Sequence, residues 1–261
     1  MPTRIHPTAI VSPRAELGIN VEVGPHTIIE EKVHIGEGSV IGPSCLIQGP
    51  TTIGRNNHFY GHVSIGTDPQ DLKYKGEESE LFIGDDNRIR EFTTINRGTA
   101  AGIGRTEIGS HNLLMAYTHI AHDCIIGDHV IMANASTLAG HVEIQDHSSV
   151  GAFTPVHQFC RVGRHAFIGA CSVITRDVLP FMKTVGARSE GKCYGPNAIG
   201  LEREGFSPER ITLLKRAYRT LFRGGVKLQD AIREIRNWPE ITKDVEFLLD
   251  FIETTQRGVI R

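Results

Sequence analysis

His119 and His122 stand three residues apart in the run His119-Ile120-Ala121-His122-Asp123-Cys124, inside a segment of strict periodicity. An imidazole takes up and returns protons near neutral pH, which makes His122 a candidate general base. Eighteen residues further on stands Gly140, and eighteen beyond that Gln158. Stacked in one column, the three offer a base, an unshielded backbone N–H for a developing oxyanion, and a polar amide. Those parts suffice for an acyl transfer in which the acceptor hydroxyl attacks directly, with no Ser or Cys nucleophile. Asp123 follows the base and could orient its ring, although neighbours on a strand point to opposite faces.

The spacing of apolar residues says what would build such a column. Every sixth residue from Ile5 is large and apolar: Ile5, Val11, Leu17, Val23, Ile29, Ile35, Ile41, Ile47, Ile53, Phe59 and Ile65. The pattern lapses over residues 67–80 and returns in phase at Ile83, Ile89 and Ile95. A second lapse, 97–105, shifts it by one residue, after which it runs from Ile108 to Ile174. The slot four after the anchor is usually small or slender, as at Thr27, Ser39, Cys45, Cys124, Ser136 and Cys160, and Gly often follows the anchor. A period of six matches neither a helix nor an isolated strand. It predicts a triangular β-helix: three hexads make a coil, and residues 18 apart stack at about 4.8 Å. The reading is a mainly β fold over 1–190, with loop insertions at about 67–80 and 97–105, and an α-helical C-terminal domain over 191–261. Ser207-Pro208-Glu209 provides a helix start, followed by Ile211, Leu214, Ala217, Tyr218 and Leu221 at helical spacing. Further helices are expected over roughly 227–236 and 242–255.

Such a prism also accounts for the composition. Only 39% of residues are hydrophobic and 7% aromatic, against 28 glycines, so apolar bulk is placed economically. Five cysteines without a Cys-x-x-Cys pair argue against a disulfide framework or a zinc knuckle. Together with the lack of a leader-like segment, they point to the cytoplasm. A formal charge of -2 gives no reason to expect nucleic acid, and no apolar run is long enough for a transmembrane helix.

The hexads resemble the hexapeptide-repeat family of parallel β-helices, mostly acyltransferases and mostly trimers. That resemblance implies a left-handed coil, a hand that spacing does not fix and that the general crossover rule would oppose. The strings His119-Ile120-Ala121-His122-Asp123-Cys124, Leu138-Ala139-Gly140-His141-Val142 and Val156-His157-Gln158-Phe159-Cys160, with Pro69-Gln70-Asp71-Leu72-Lys73-Tyr74, resemble the UDP-N-acetylglucosamine acyltransferases that open lipid A synthesis. The likeness extends over essentially the whole chain. It implies a homotrimer that acylates UDP-N-acetylglucosamine at its 3-position, with no cofactor beyond the phosphopantetheine of the donor, acyl carrier protein. His122 would be the base and Gly140 the oxyanion donor. Asp71 and Lys73 would hold the sugar and the donor's acyl group, with Gln70 beside them as a substrate-binding residue; His119, His141, His157 and Gln158 would line the sugar, diphosphate and pantetheine contacts, and Asn197 and Arg203 would face the nucleotide. Ile199 and Glu204 depart from the family's pattern, where an acid and a base are usual. Ala170 stands where a glycine often sets acyl-chain depth, which implies a shorter donor.

Other readings compete. His111, His129, His147 and His165, 18 apart, form another column, read as a metal site or as a solvated or inter-subunit ladder. A γ-class carbonic anhydrase uses three histidines on this fold, but its resembling members space two of them as His-x-x-x-x-His. The sibling N-acyltransferase carries an extra domain before its repeat. A non-enzymatic scaffold would need none of the column residues. The basic residues between Arg203 and Arg236 suit an acidic carrier protein or a solvated helix face.

Overall fold

A computed structural model describes residues 3–186 and 191–261. Strands of two to four residues alternate with tight corners and assemble into three parallel sheets, two of eight strands and one of eleven whose last strand, Lys192–Pro196, is five residues long and antiparallel. The prism is a left-handed parallel β-helix. Its ladder spacing is the predicted 18: Ile5 pairs with Val23, Val11 with Ile29, and Leu17 with Ile35. Anchors such as Ile29, Ile65, Ile95, Ile120 and Leu138 are buried along the axis. The first coil is the exception, since Ile5 is 47% exposed and Val11 and Leu17 are only partly covered.

The two lapses of periodicity are loops at corners. Across the first, Ile65 pairs with Ile95, 30 residues on, so the loop adds two hexads and leaves the phase unchanged. Across the second, Ile95 pairs with Ile120, 25 residues on, which is one hexad plus one residue and accounts for the phase shift. Both gaps are bridged inside the prism by asparagines. Asn57 Oδ1 accepts from the Asn87 backbone N–H at 3.0 Å, and Asn87 Oδ1 from that of Asn112 at 2.9 Å. A buried amide that finds such partners holds register where apolar side chains would not.

Corners need a residue in the left-handed region, which Asn, Asp and His tolerate better than most. Asp123, His141 and Phe159 fill that position at one corner, with φ of 58°, 62° and 63°. His111, His129, His147 and His165 fill it at another, with φ between 55° and 60°.

After the last coil, Met182–Val185 pairs in parallel with Phe167-Ile168 and antiparallel with Lys192–Pro196. The domain boundary read at 190 lies outside the described residues. A second apolar core draws in Leu179, Phe181 and Met182 before the helices begin. Helix α1, Ala198–Arg203, was not foreseen. Helix α2, Pro208–Arg223, starts as expected, Ser207 Oγ accepting from the Arg210 N–H, and buries Ile211, Leu214, Ala217, Tyr218 and Leu221. Helices α3, Leu228–Arg236, and α4, Lys243–Glu253, complete the layer. The chain then returns to the prism: Ile260 joins its core, and the Ile260 N–H donates to Asp177 O.

Candidate active site

His122, Gly140 and Gln158 are the first residues of successive turns at one corner, so the column exists as a stack of turns. Asp123 shares the turn with His122 and is not in a strand, and the alternation that argued against it therefore does not apply. Its Oδ2 lies 2.8 Å from His122 Nδ1, leaving Nε2 as the free ring nitrogen. Asp123 is completely enclosed and His122 nearly so, with side-chain exposures of 0% and 12%. Burial would push the Asp123 carboxyl up, but hydrogen bonds from His122 and Thr99 outweigh it and hold the group below its usual range. The acid therefore stays ionised and fixes the hydrogen on Nδ1, the tautomer in which Nε2 can accept a proton.

The His122 ring lies against Gly140, where a side chain would have no room. Among the described residues the Gly140 N–H donates to no backbone carbonyl. A base and an unspent donor thus meet at the rim of a cavity of about 750 Å³. Gln70, Asp71, Lys73, His119, His141, His157 and Gln158 line the same cavity. His119 is tied by Nδ1 to Thr94 Oγ1 at 2.7 Å, and burial, aided by His122, lowers its pKa. Burial likewise lowers that of His141, opposed by Asp123, and its ring stacks on Phe159 at 4.5 Å. The His157 Nδ1–H turns back to Gln158 O at 3.2 Å.

Gln70, Asp71 and Lys73 reach the cavity because the first loop is anchored from the next coil. Asn96 donates to Thr67 Oγ1 and to Asp68 O at 3.0 and 2.8 Å, while the buried Arg97 binds Gly66 O, Asp68 and Tyr74 Oη. Sequence reasoning missed these anchors. It also missed Thr99 and Ile103, whose N–H groups donate to Asp123 Oδ1 at 3.1 and 3.0 Å. The only trace in the sequence is the loss of period over 97–105.

Asn197 and Arg203 are not in this cavity. They line a groove of about 580 Å³ on another prism face, with Ile131, Ser149 and Phe167 as its floor. Glu204, one of the two departures, pairs there with His147 Nδ1 at 3.1 Å, and Ile199, the other, is 66% exposed. Ala170 sits at a third corner, exposed and against the backbone of Gly151. The histidine column stacks as spaced, with ring centroids 4.7–4.8 Å apart and planes within 12° of parallel. Parallel rings do not aim their in-plane lone pairs at one point, so two of them would share an ion only if one turned out of the stack. Cys124 and Cys160 are inward spacers whose thiols burial raises to about 12 and about 11. Several basic residues of the tail are engaged internally: Arg210 with Asp244, Arg236 with Asp250 and Glu253, and Arg216 over Trp238.

Residues 177–260 match the family described as Udp N-acetylglucosamine O-acyltransferase, Domain 2, and residues 105–140 match the bacterial transferase hexapeptide repeat. The acyl-[acyl-carrier-protein]–UDP-N-acetylglucosamine O-acyltransferase of Halorhodospira halophila is 55% identical over 99% of this chain and 100% of its own length. The UDP-N-acetylglucosamine acyltransferase structure from Francisella novicida superposes with a TM-score of 0.95 at 39% identity, covering 98% of this chain and 94% of its own. The one from Campylobacter jejuni gives 0.92 at 37%, covering 98% and 99%. No described helix is long and apolar enough to cross a membrane.

Proposed function

Because this chain belongs to the acyl-[acyl-carrier-protein]–UDP-N-acetylglucosamine O-acyltransferase family, we propose that it moves an acyl chain from acyl carrier protein to the 3-hydroxyl of UDP-N-acetylglucosamine. The acyl chain is 3-hydroxylated, and the transfer is the first step of lipid A synthesis, in the cytoplasm. The carrying observation is the His122 ring, held by Asp123 on one nitrogen and resting on Gly140 beside the cavity.

The chemistry follows from that geometry. His122 Nε2 takes the proton of the sugar 3-hydroxyl as its oxygen attacks the thioester carbonyl. The Gly140 N–H meets the oxyanion of the tetrahedral intermediate. Collapse breaks the C–S bond, and the imidazolium returns its proton to the departing pantetheine sulfur, giving an ester and a free thiol. No cofactor of the protein takes part. Asp71 and Lys73 hold the sugar and the acyl group, and His119, His141, His157 and Gln158 hold the diphosphate and pantetheine.

The His122 cavity and the Asn197–Arg203 groove open on different faces of one chain. One nucleotide sugar can use both only if they come from different copies, which supports a homotrimer with sites between subunits. The deciding experiment offers the protein a panel of acyl carrier protein thioesters with 3-hydroxy and 3-amino acceptors and weighs the products. An acylated nucleotide sugar one ester heavier is expected, with the shorter donors preferred if Ala170 limits depth. Amide product alone would overturn the hydroxyl acceptor, and no acylated product would overturn the reading.

A further inference from the structure

We infer that the second loop, residues 97–104, is a clamp that sets the His122–Asp123 pair, with Thr99 and Gly102 as its positioning residues. The inference rests on His122 being the base. Asp123 Oδ2 accepts from Thr99 Oγ1–H at 2.7 Å in addition to His122 Nδ1, and Oδ1 accepts from the N–H groups of Thr99 and Ile103. A carboxylate has about four acceptor sites, so every one is filled and none remains to receive a proton or a water.

The Thr99 hydroxyl is itself directed. Gly102 N–H donates to Thr99 Oγ1 at 3.1 Å, which occupies an oxygen lone pair and turns the hydroxyl proton to Asp123. Gly102 can come this close only without a side chain: a Cβ there would lie 2.3 Å from Asp123 Cγ and 2.4 Å from each carboxylate oxygen. Thr99 and Asp123 are 2% and 3% exposed, so water does not substitute for these contacts. With all four directions used, the carboxylate cannot rotate, and the bond to Nδ1 has one geometry. The loop touches Asp123 and not the cavity, whose lining contains no residue of it.

The test compares Thr99→Val, which keeps the shape and removes the donor, with Thr99→Ser, which keeps the donor, and with His122→Ala. For Thr99→Val, kcat should fall about tenfold to a hundredfold, the range a misplaced catalytic group produces. KM for donor and acceptor should stay within about twofold. The acid limb of its kcat profile should move to higher pH, because Asp123 with one donor fewer is the stronger partner for an imidazolium. Thr99→Ser should recover most of the loss. A measurement on the unaltered protein needs no variant to fold: its ¹H–¹⁵N spectrum should show a protected downfield Nδ1 proton of His122, assigned by its loss in His122→Ala. A His122 with its hydrogen on Nε2, or a Thr99→Val enzyme with unchanged kcat and pH profile, overturns the clamp. Turnover retained by His122→Ala would overturn the base instead, so the two failures are told apart.

Discussion

A Cβ built on Gly140 would lie 2.5 Å from Cε1 and 2.7 Å from Nε2 of His122, so the imidazole of one coil rests on the bare backbone of the next. Gly140→Ala should therefore push the ring from its place while leaving the coil intact. About a hundredfold loss of kcat is expected, the scale of a 1 Å misplacement, with an unfolding temperature close to that of the parent. Steady-state rates and a thermal melt on the same preparation check it, and an unimpaired variant would mean the ring does not work from this position.

Asp123→Asn keeps the volume but brings an NH₂ to an environment made of donors, and it releases the Nδ1 hydrogen of His122. The tautomer is then no longer imposed. A kcat loss of about 10⁴ is the scale for a comparable Asp–His pair. Substrate KM should change little, and pre-steady-state acyl transfer is the direct readout.

Mixtures of chains test whether the proposed trimer shares its sites between subunits. His122→Ala and Asn197→Ala/Arg203→Ala chains should each be weakly active alone, while co-refolded mixtures should regain turnover as interfaces form with both halves intact. Mixtures no better than the weighted mean of the two would place each complete site within one chain.

His165 sets a pH response of stability. Its ring lies between His147 at 4.7 Å and Phe181 at 5.8 Å, with the edge of Phe206 at 5.0 Å. Burial, then His147 and Arg164, bring its pKa down to about 4 against the opposing pull of Glu204 and Asp244. The unfolded chain takes up a proton near 6.5 that the folded one refuses. Stability from this group is thus present above pH 6.5 and is lost as pH falls toward about 4. Phe occupies the same left-handed corner slot at Phe153 and Phe159, so His165→Phe should fold. Denaturant midpoints at pH 7.5 and pH 5 should differ less in this variant than in the parent.

The prism was legible in the chain because inward and outward positions are decided within each hexad, and stacking follows by counting. Ile120 inside and His122 in line with Gly140 and Gln158 were reachable that way. Asp123 was left undecided because strand alternation was applied to a residue that makes a turn, with φ of 58°. Thr99, Ile103, Asn96 and Arg97 were out of reach for a different reason. They act by backbone groups and long side chains on partners 20–31 residues away, with no period to mark them. Helix α1 is six residues long, too short for a 3.6-residue pattern to declare itself.

The two ends of the prism are unequal, and a stack held together by neighbour-to-neighbour contacts should melt accordingly. At the far end Ile260 plugs the core, and the backbone on either side of Val259 laces to Asp177 through an isolated parallel bridge. At the near end Ile5 is left half in water. Fraying should begin at that end and travel coil by coil toward the corner of His122, which lies deep in the stack. Amide exchange would then read as a gradient along the axis, with the chemistry kept at its slow end.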